Sequence, residues 1–380
     1  MKIKVIEVSS DTNIGGAGKC LLTLLENFDY DKFEVKVILP ENSLLKPHID
    51  KMGIEVIEVC GIADKSLDMS AVGALKRIFK QEKPDIVHTH ASMSARIAAK
   101  LAGSKIVYTR HSVFPPPAKI SHGIGKKING FVNNFLSDGI IAVAEAAKEN
   151  LTDTGVDAKK ITVILNGVEG LKDADEAEKT QLRKRFGVNE GEKVVSIVAR
   201  LEDIKGHKYF VEAADEILKS GINAKFFIAG TGSYENEIKA QIERLGLEDK
   251  VIMTGFISDV DKLMSITDIQ ANASYGTEAT SLALLEGMSI GIPAVVSDFG
   301  GNPGVIKDGV NGFVVPRKNS EQLAAALKKL LSDDVLYKKL SDGSREIFKE
   351  TFTAAAMTRN TENLYTAVLN GKEVYGYGKG

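Results

Sequence analysis

Apolar runs of strand length alternate with segments of helical periodicity along nearly the whole chain. In the first part the runs are "IKVIEV", "FEVKVIL", "GIEVIEV", "DIVHTH", "KIVYT", "GIIAVA" and "ITVIL". A polar, acidic stretch, "EGLKDADEAEKTQLRKRFG", interrupts them, and the pattern restarts with "KVVSIVA", "AKFFIAG", "KVIMTGF", "DIQANAS", "IPAVVS" and "GFVV". Strands alternating with helices predict parallel sheets covered by helices on both faces, and the restart predicts two such sheets. The expected class is α/β with two parallel-sheet domains facing each other across a cleft. The boundary falls between Gly167 and Glu176, which gives a first domain over 1–168 and a second over 169–350. A last helical pattern, "FTAAAMTRNTENLYTAVLN", has no strand after it. That helix can cap the second domain or cross back to the first; the expectation for residues 351–380 is a crossing helix followed by a disordered tail, "YGYGKG".

Length agrees with this division: 380 residues are comfortable for two domains, and 43% hydrophobic residues can fill two cores. The two cysteines, Cys20 and Cys60, lie in apolar segments without metal-ligand spacing, and both are expected to be buried thiols. No stretch approaches the roughly 18 apolar residues of a membrane span, and "MKIKVIEV" reads as a strand, so a cytoplasmic chain without a cleaved signal is expected.

A net charge of −2 argues against general nucleic-acid binding, but the charge is unevenly spread. The 52 positions between Asp85 and Asp138 hold no acidic residue, seven Lys/Arg and four of the six histidines. Within them "KISHGIGKKINGFVNNFL" mixes apolar and basic residues that a helix can sort onto two faces. The stretch 86–137 reads either as a solvated basic surface or as a site for an anionic partner such as a membrane face.

Candidate chemistry sits where the strands end, which is where parallel α/β sheets bind ligands. The loop "NIGGAGKCL" follows the first strand but matches neither the nucleotide-hydrolase signature nor the dinucleotide fingerprint. Cys20 stands where the former needs a hydroxyl and Leu21 where the latter needs glycine. In "IVARLEDIKGHKYFVEA", Arg200 follows a strand directly and Lys205 lies in the next loop. A guanidinium and an ammonium at one sheet edge suit a diphosphate. Gly230 in "IAGTGSYENE" allows close approach of backbone to a ligand.

The densest segment is "SYGTEATSLALLEGMSIGIPAVVSD", with Glu278 and Glu286 on either side of the candidate N-caps Thr280 and Ser281. A continuous helix would put the carboxylates ~12 Å apart. That exceeds the roughly 5 to 9.5 Å of a glycosidase pair and suits a long ligand held at two places. Free N–H groups near Thr280 to Leu282 would receive negative charge between them. Read singly, Glu278 would only favour a helix dipole and Glu286 would pair with a surface lysine.

These motifs together resemble the retaining glycosyltransferases of family 4, the "glycosyl transferases group 1" with two Rossmann-like domains in the GT-B arrangement. The resemblance covers nearly the whole chain in order: the glycine loop, "PDIVHTH", "VYTRHS", "VILNGVE", "ARLEDIKG", "AGTG", "TGF", and two glutamates eight positions apart followed by "GIPAVVSDFGGNP". It implies a nucleotide diphosphosugar donor and a sugar, glycan or lipid-linked acceptor. Glu278 would bind the donor sugar, and Glu286 the ribose diol. The backbone of Thr280, Ser281 and Leu282 would receive the diphosphate together with Arg200 and Lys205. The segment around Phe256 would meet the base, and His111 would lie near the transferred sugar. Gly15 and Gly16 would form the opposite wall of the cleft. Two departures stand out: Ala279-Thr280-Ser281 replaces a frequent Gly-Phe-Gly, and Gly304 replaces a frequent Glu.

The implied chemistry is transfer with retention, assisted by Arg200, Lys205 and a helix N-terminus, with no cofactor and no metal. Two rival readings share these features. One is a hydrolysing nucleotide-sugar 2-epimerase, and the other is a catalytically silent nucleotide-sugar binder acting as a partner protein.

Overall fold

The structure, a computed structural model, describes residues 2–63, 66–90 and 92–372. The terminal "YGYGKG" lies outside the described residues. The chain separates into two compact units, one running to Gly167 and resuming at Ala354, the other spanning Val168–Thr353.

The first unit contains β1 (Ile3–Ser9), β2 (Phe33–Pro40), β3 (Val56–Val59), β4 (Ile86–His90), β5 (Lys105–Arg110), β6 (Gly139–Ala142) and β7 (Ile161–Val163). They form one parallel sheet in the order β3-β2-β1-β4-β5-β6-β7. The second unit contains β8 (Lys193–Val198), β9 (Ala224–Ala229), β10 (Val251–Gly255), β11 (Ile269–Asn272), β12 (Ala294–Ser297) and β13 (Gly312–Val315). Their order is β10-β9-β8-β11-β12-β13, again parallel. All thirteen apolar runs of the sequence thus became strands.

Their continuous apolar character follows from burial on both faces. Every residue of β4, β6, β9, β11 and β12 is buried. Phe210 and Phe226 meet edge to face in the core of the second unit, at 5.8 Å between centroids. The helix Ala354–Leu369 belongs to the first unit, where Leu364, Tyr365 and Val368 join the core around Leu21, Leu25 and Phe33.

In each sheet the strand order reverses once, between β1 and β4 in the first and between β8 and β11 in the second. At such a switch point the connections leave in opposite directions, and the carboxyl ends of the two strands open a crevice. Gly15 and Gly16 follow β1, and Arg200, Lys205 and Glu278 follow β8 and β11. Cys60 corrects one expectation: it is exposed just past the edge strand β3, while Cys20 is buried. Its Sγ lies 2.8 Å from Glu41 Oε1, and that hydrogen bond raises the thiol pKa. Burial in the first core pushes the Cys20 thiol up to about 12. Among the described residues no helix is long and apolar enough to cross a membrane.

Candidate active site

At the second switch point the chain leaves β8 and passes Arg200 before a single 3-10 turn, Asp203–Lys205. That turn carries Lys205 inward, where Nζ lies 3.0 Å from Glu278 Oε2 and donates to the Thr277 carbonyl at 2.9 Å. The lysine and glutamate side chains are only 11% and 9% exposed. Glu278 Oε2 also accepts from Asn272 Nδ2 at 3.2 Å and from Ser274 Oγ at 3.1 Å. All three bonds go to one oxygen, which leaves Oε1 for a ligand hydroxyl.

Backbone geometry holds this carboxylate in place. Gly300 has φ +59°, and a Cβ there would stand 2.0 Å from the Glu278 carbonyl oxygen. Gly301 N–H donates to the same carbonyl at 3.1 Å. Asn302 extends the support through Nδ2 to Ser297 Oγ at 3.1 Å. Asn272, Ser274, Ser297 and Asn302 were not anticipated from sequence. For Asn272, Ser274 and Ser297 the signal was a polar residue at or just past the buried carboxyl end of an apolar strand, where an unpaired group would be costly.

The helix starts after the candidate N-caps Thr280 and Ser281, as expected, so the two glutamates do not share one continuous helix. Residues 274–281 are irregular and the helix is Leu282–Ser289, so only Glu286 lies on it. Glu278 instead follows the loop back to the sheet edge, where Lys205 compensates its charge. Ser281 is the N-cap but makes no side-chain capping bond. The N-terminus of this helix at Leu282 directs its first backbone N–H groups away from the helix body, an arrangement that suits an anion. Glu286 is half-buried.

Arg200 departs from the expected pairing with Lys205. It is exposed and bound to Glu202, Nη1 to Oε1 at 2.6 Å. Phe256 is exposed just after β10. Gly230 has φ +142°, and a Cβ there would lie 2.1 Å from the Ala199 carbonyl oxygen, so packing against the end of β8 already demands glycine.

At the first switch point the glycines differ from one another. A Cβ at Gly15 or Gly16 meets nothing within 4 Å, whereas at Gly18 it would come 3.0 Å from Leu45 Cδ2. The fold therefore requires only Gly18 to be small. The helix Gly16–Asn27 begins with Gly15 as an extended N-cap without a side-chain capping bond.

His111, after β5, ends a buried chain of polar groups. Glu7 is fully buried in β1, and parallel register sets His88 opposite it on β4. The His88 Nδ1 lies 3.0 Å from Glu7 Oε2 and 2.7 Å from the Tyr365 hydroxyl, while Nε2 lies 2.6 Å from Thr109 Oγ1. Tyr365 donates to Glu7 Oε1 at 2.7 Å. His90 Nε2 lies 3.0 Å from Glu7 Oε2, and His90 Nδ1 lies 2.7 Å from His111 Nε2.

Burial opposes ionisation of Glu7, but attraction and hydrogen bonding from His88 and His90 outweigh it and hold the carboxyl well below its ordinary range. Burial likewise lowers His88 and, more strongly, His111, keeping both neutral. Ionised Glu7 only accepts, so His90 gives it the Nε2 proton. Glu7, His88 and His90 also have the composition of a cation site. The 3.0 Å separations between their donor atoms are hydrogen-bond lengths, and protons account for them. His88 and His90 are thus members of the network that ends at His111.

Comparison with known proteins agrees with both halves. Residues 14–169 match the family described as "Glycosyltransferase Family 4", and residues 178–347 match "Glycosyl transferases group 1". The chain is 28% identical, over 88% of its length and 89% of the relative's, to the UDP-Gal:alpha-D-GlcNAc-diphosphoundecaprenol alpha-1,3-galactosyltransferase of Escherichia coli. It is 25% identical, over 80% of its length and 81% of the relative's, to the N-acetyl-alpha-D-glucosaminyl L-malate synthase of Bacillus anthracis. The crystal structure of HepE of Anabaena in complex with UDP superposes with a TM-score of 0.83, covering 97% of this chain and 100% of that one. At 22% identity that likeness is one of fold. Two parallel sheets with reversed strand order, the supported glutamate at the second switch point and matches to both halves lead to one conclusion: the chain belongs to the family 4, group 1 glycosyltransferases of the GT-B fold.

Proposed function

We propose that the second unit binds a UDP-sugar and that the enzyme passes the sugar to a glycan or lipid-linked acceptor with retention of the anomeric configuration. The observation that carries this reading is the buried Lys205–Glu278 pair beside the open N-terminus of the helix Leu282–Ser289. Glu278 Oε1 would accept from a donor-sugar hydroxyl, and Glu286 would accept from the ribose diol. The N–H groups near Thr280 to Leu282, with Arg200 and Lys205, would receive the diphosphate, and exposed Phe256 would border the base. The first unit would carry the acceptor side through Gly15, Gly16 and His111, whose ring would hydrogen-bond a hydroxyl of the transferred sugar.

In the transfer step the bond between the anomeric carbon and the phosphate oxygen breaks, and the acceptor oxygen bonds that carbon on the same face. The acceptor's proton passes to the departing phosphate oxygen, and UDP leaves. Negative charge grows on the diphosphate as the bond breaks, and fixed cations and N–H dipoles stabilise it without reorganising. Arg200 and Lys205 do the work that a divalent ion would otherwise do, so we read the reaction as metal-independent.

UDP as the nucleotide is supported by the Escherichia coli relative, whose name states UDP-Gal, and by the UDP complex of HepE. A lipid-linked acceptor has support in the diphosphoundecaprenol of that relative, while L-malate in the Bacillus anthracis name points to a soluble one. A thermal-shift screen of nucleoside diphosphates and their sugars tests the donor, since a ligand at 100 times its Kd stabilises by ~2.7 kcal/mol. UDP and one UDP-sugar should raise the melting temperature; a purine diphosphate acting alone would overturn the assignment. Loss of transfer in EDTA and its return with magnesium would overturn metal independence.

A further inference from the structure

The helix Gly123–Phe135 in the first unit is amphipathic the wrong way round for a soluble protein. Its apolar residues point outward: Ile124 is 76% exposed, Ile128 58%, Phe131 70% and Phe135 53%. Their spacing of four, three and four residues sets them on one narrow stripe. The Phe131 and Phe135 rings stack at 6.1 Å with an interplanar angle of 10°.

The opposite face, which holds the helix to the domain, is polar. Asn129 Nδ2 donates to the Thr154 carbonyl at 2.7 Å, and Arg96 Nη1 donates to Asn133 Oδ1 at 3.0 Å. Gly130 packs so closely that a Cβ would stand 2.1 Å from the Gly155 carbonyl oxygen. The helix is thus anchored by hydrogen bonds and close backbone contact, and its hydrophobic side chains contribute little to the core. Four adjacent exposed side chains of this size mark an interaction surface.

Charge identifies the partner. Lys100, Lys119 and Lys127 are exposed around the stripe, and Lys100 Nζ lies 4.7 Å from the Phe135 ring centroid. No acidic residue occurs from 86 to 137. The acids that flank the helix in the fold are engaged elsewhere: Asp138 pairs with Lys105 at 3.2 Å, and Asp157 accepts from the Lys159 N–H at 3.0 Å. An apolar stripe rimmed by lysines fits a surface with an apolar interior and an anionic face. A second copy fits poorly, because a two-fold contact through this stripe would bring the basic rim against itself.

We propose that the Gly123–Phe135 helix lies in the headgroup region of an anionic lipid bilayer, with Ile124, Ile128, Phe131 and Phe135 toward the acyl chains and the three lysines against lipid phosphates. The proposal rests on this helix alone and is independent of the donor assignment.

Vesicle flotation of the full chain tests it without donor or acceptor, so failed transfer cannot imitate a negative result. The protein should float with equimolar phosphatidylglycerol and phosphatidylcholine and remain below with phosphatidylcholine alone. The Phe131→Ser/Phe135→Ser variant should bind at least about 10-fold more weakly. The Lys119→Ser/Lys127→Ser variant should lose on the order of 5-fold for each lysine removed. All four positions are exposed, and unchanged far-UV circular dichroism controls for folding. No flotation of the wild type, or equal flotation of wild type and variants, would overturn the proposal. Sedimentation equilibrium showing a dimer that the phenylalanine variant dissolves, with vesicles left bare, would assign the face to a second copy instead.

Discussion

Lys205 and Glu278, 73 residues apart in sequence, form an ion pair at 3.0 Å at the carboxyl edge of the second sheet. Glu278 is thus a charge-compensated carboxylate whose Oε2 is committed to Lys205, Asn272 and Ser274.

Removing one partner should therefore cost more than removing both. Lys205→Met strands a buried carboxylate and should lower stability by about 3 kcal/mol, in the range seen when a buried pair loses one member. The double variant Lys205→Met/Glu278→Gln should regain much of that loss in urea denaturation while transferring no sugar. Wild-type stability for Lys205→Met would mean that the pair is solvated in solution.

Glu7 acts through His90 on His111 and is a positioning residue. Glu7→Gln keeps shape but puts an N–H donor where two histidines need an acceptor, which should cost about 3 kcal/mol. Nitrogen-15 shifts should show one His111 tautomer in the wild type and a mixture in the variant. Transfer should fall by roughly 10- to 100-fold with UDP binding intact. A purely structural role would lower stability without moving the tautomer.

Acid should weaken the first unit in two successive windows. His88 and His111 have folded pKa values below the ordinary 6.5, so as pH falls below 6.5 the unfolded chain takes up protons that the folded chain refuses. Each then contributes a loss of up to ~1.4 kcal/mol per pH unit. Glu7, with its pKa depressed from 4.5, adds stability that is present above 4.5 and is lost at lower pH. Urea midpoints should fall on acidification from about pH 7 to about pH 5, and His111→Asn should flatten that slope. A midpoint independent of pH over this interval would contradict neutral, buried histidines.

The glycine loop offers a contrast between two neighbours. Gly16→Leu has open space around its Cβ and should leave stability unchanged or slightly raised, because glycine is a poor helix residue. It should lower transfer more than UDP binding. Gly18→Leu would crowd Leu45 and should cost about 1 to 3 kcal/mol through overpacking. Full transfer by Gly16→Leu would remove the loop from the acceptor side.

Much of this was legible in the sequence for a physical reason. Strands buried on both faces must be apolar, so "AKFFIAG" and "IPAVVS" declare themselves, and chemistry gathers after strand ends, so Lys205 and Glu278 were placed at the sheet edge where they meet. The rest depended on long-range pairing. In "IKVIEV" Glu7 has the alternation of an outward-facing residue, yet it is fully buried because His88, His90 and Tyr365 supply its partners. Tyr365 comes from a helix 358 residues away, and no local pattern announces that contact. The outward stripe of the Gly123–Phe135 helix was visible as periodicity, but only the fold shows which side faces the core.

Calorimetric titration of UDP and of the active UDP-sugar into wild type and Glu278→Gln tests the central claim most directly. Wild type should bind the UDP-sugar more tightly than UDP, and Glu278→Gln should abolish this gain without weakening UDP itself. An equal loss for both ligands, or no change for either, would contradict the assignment of Glu278 to the donor sugar.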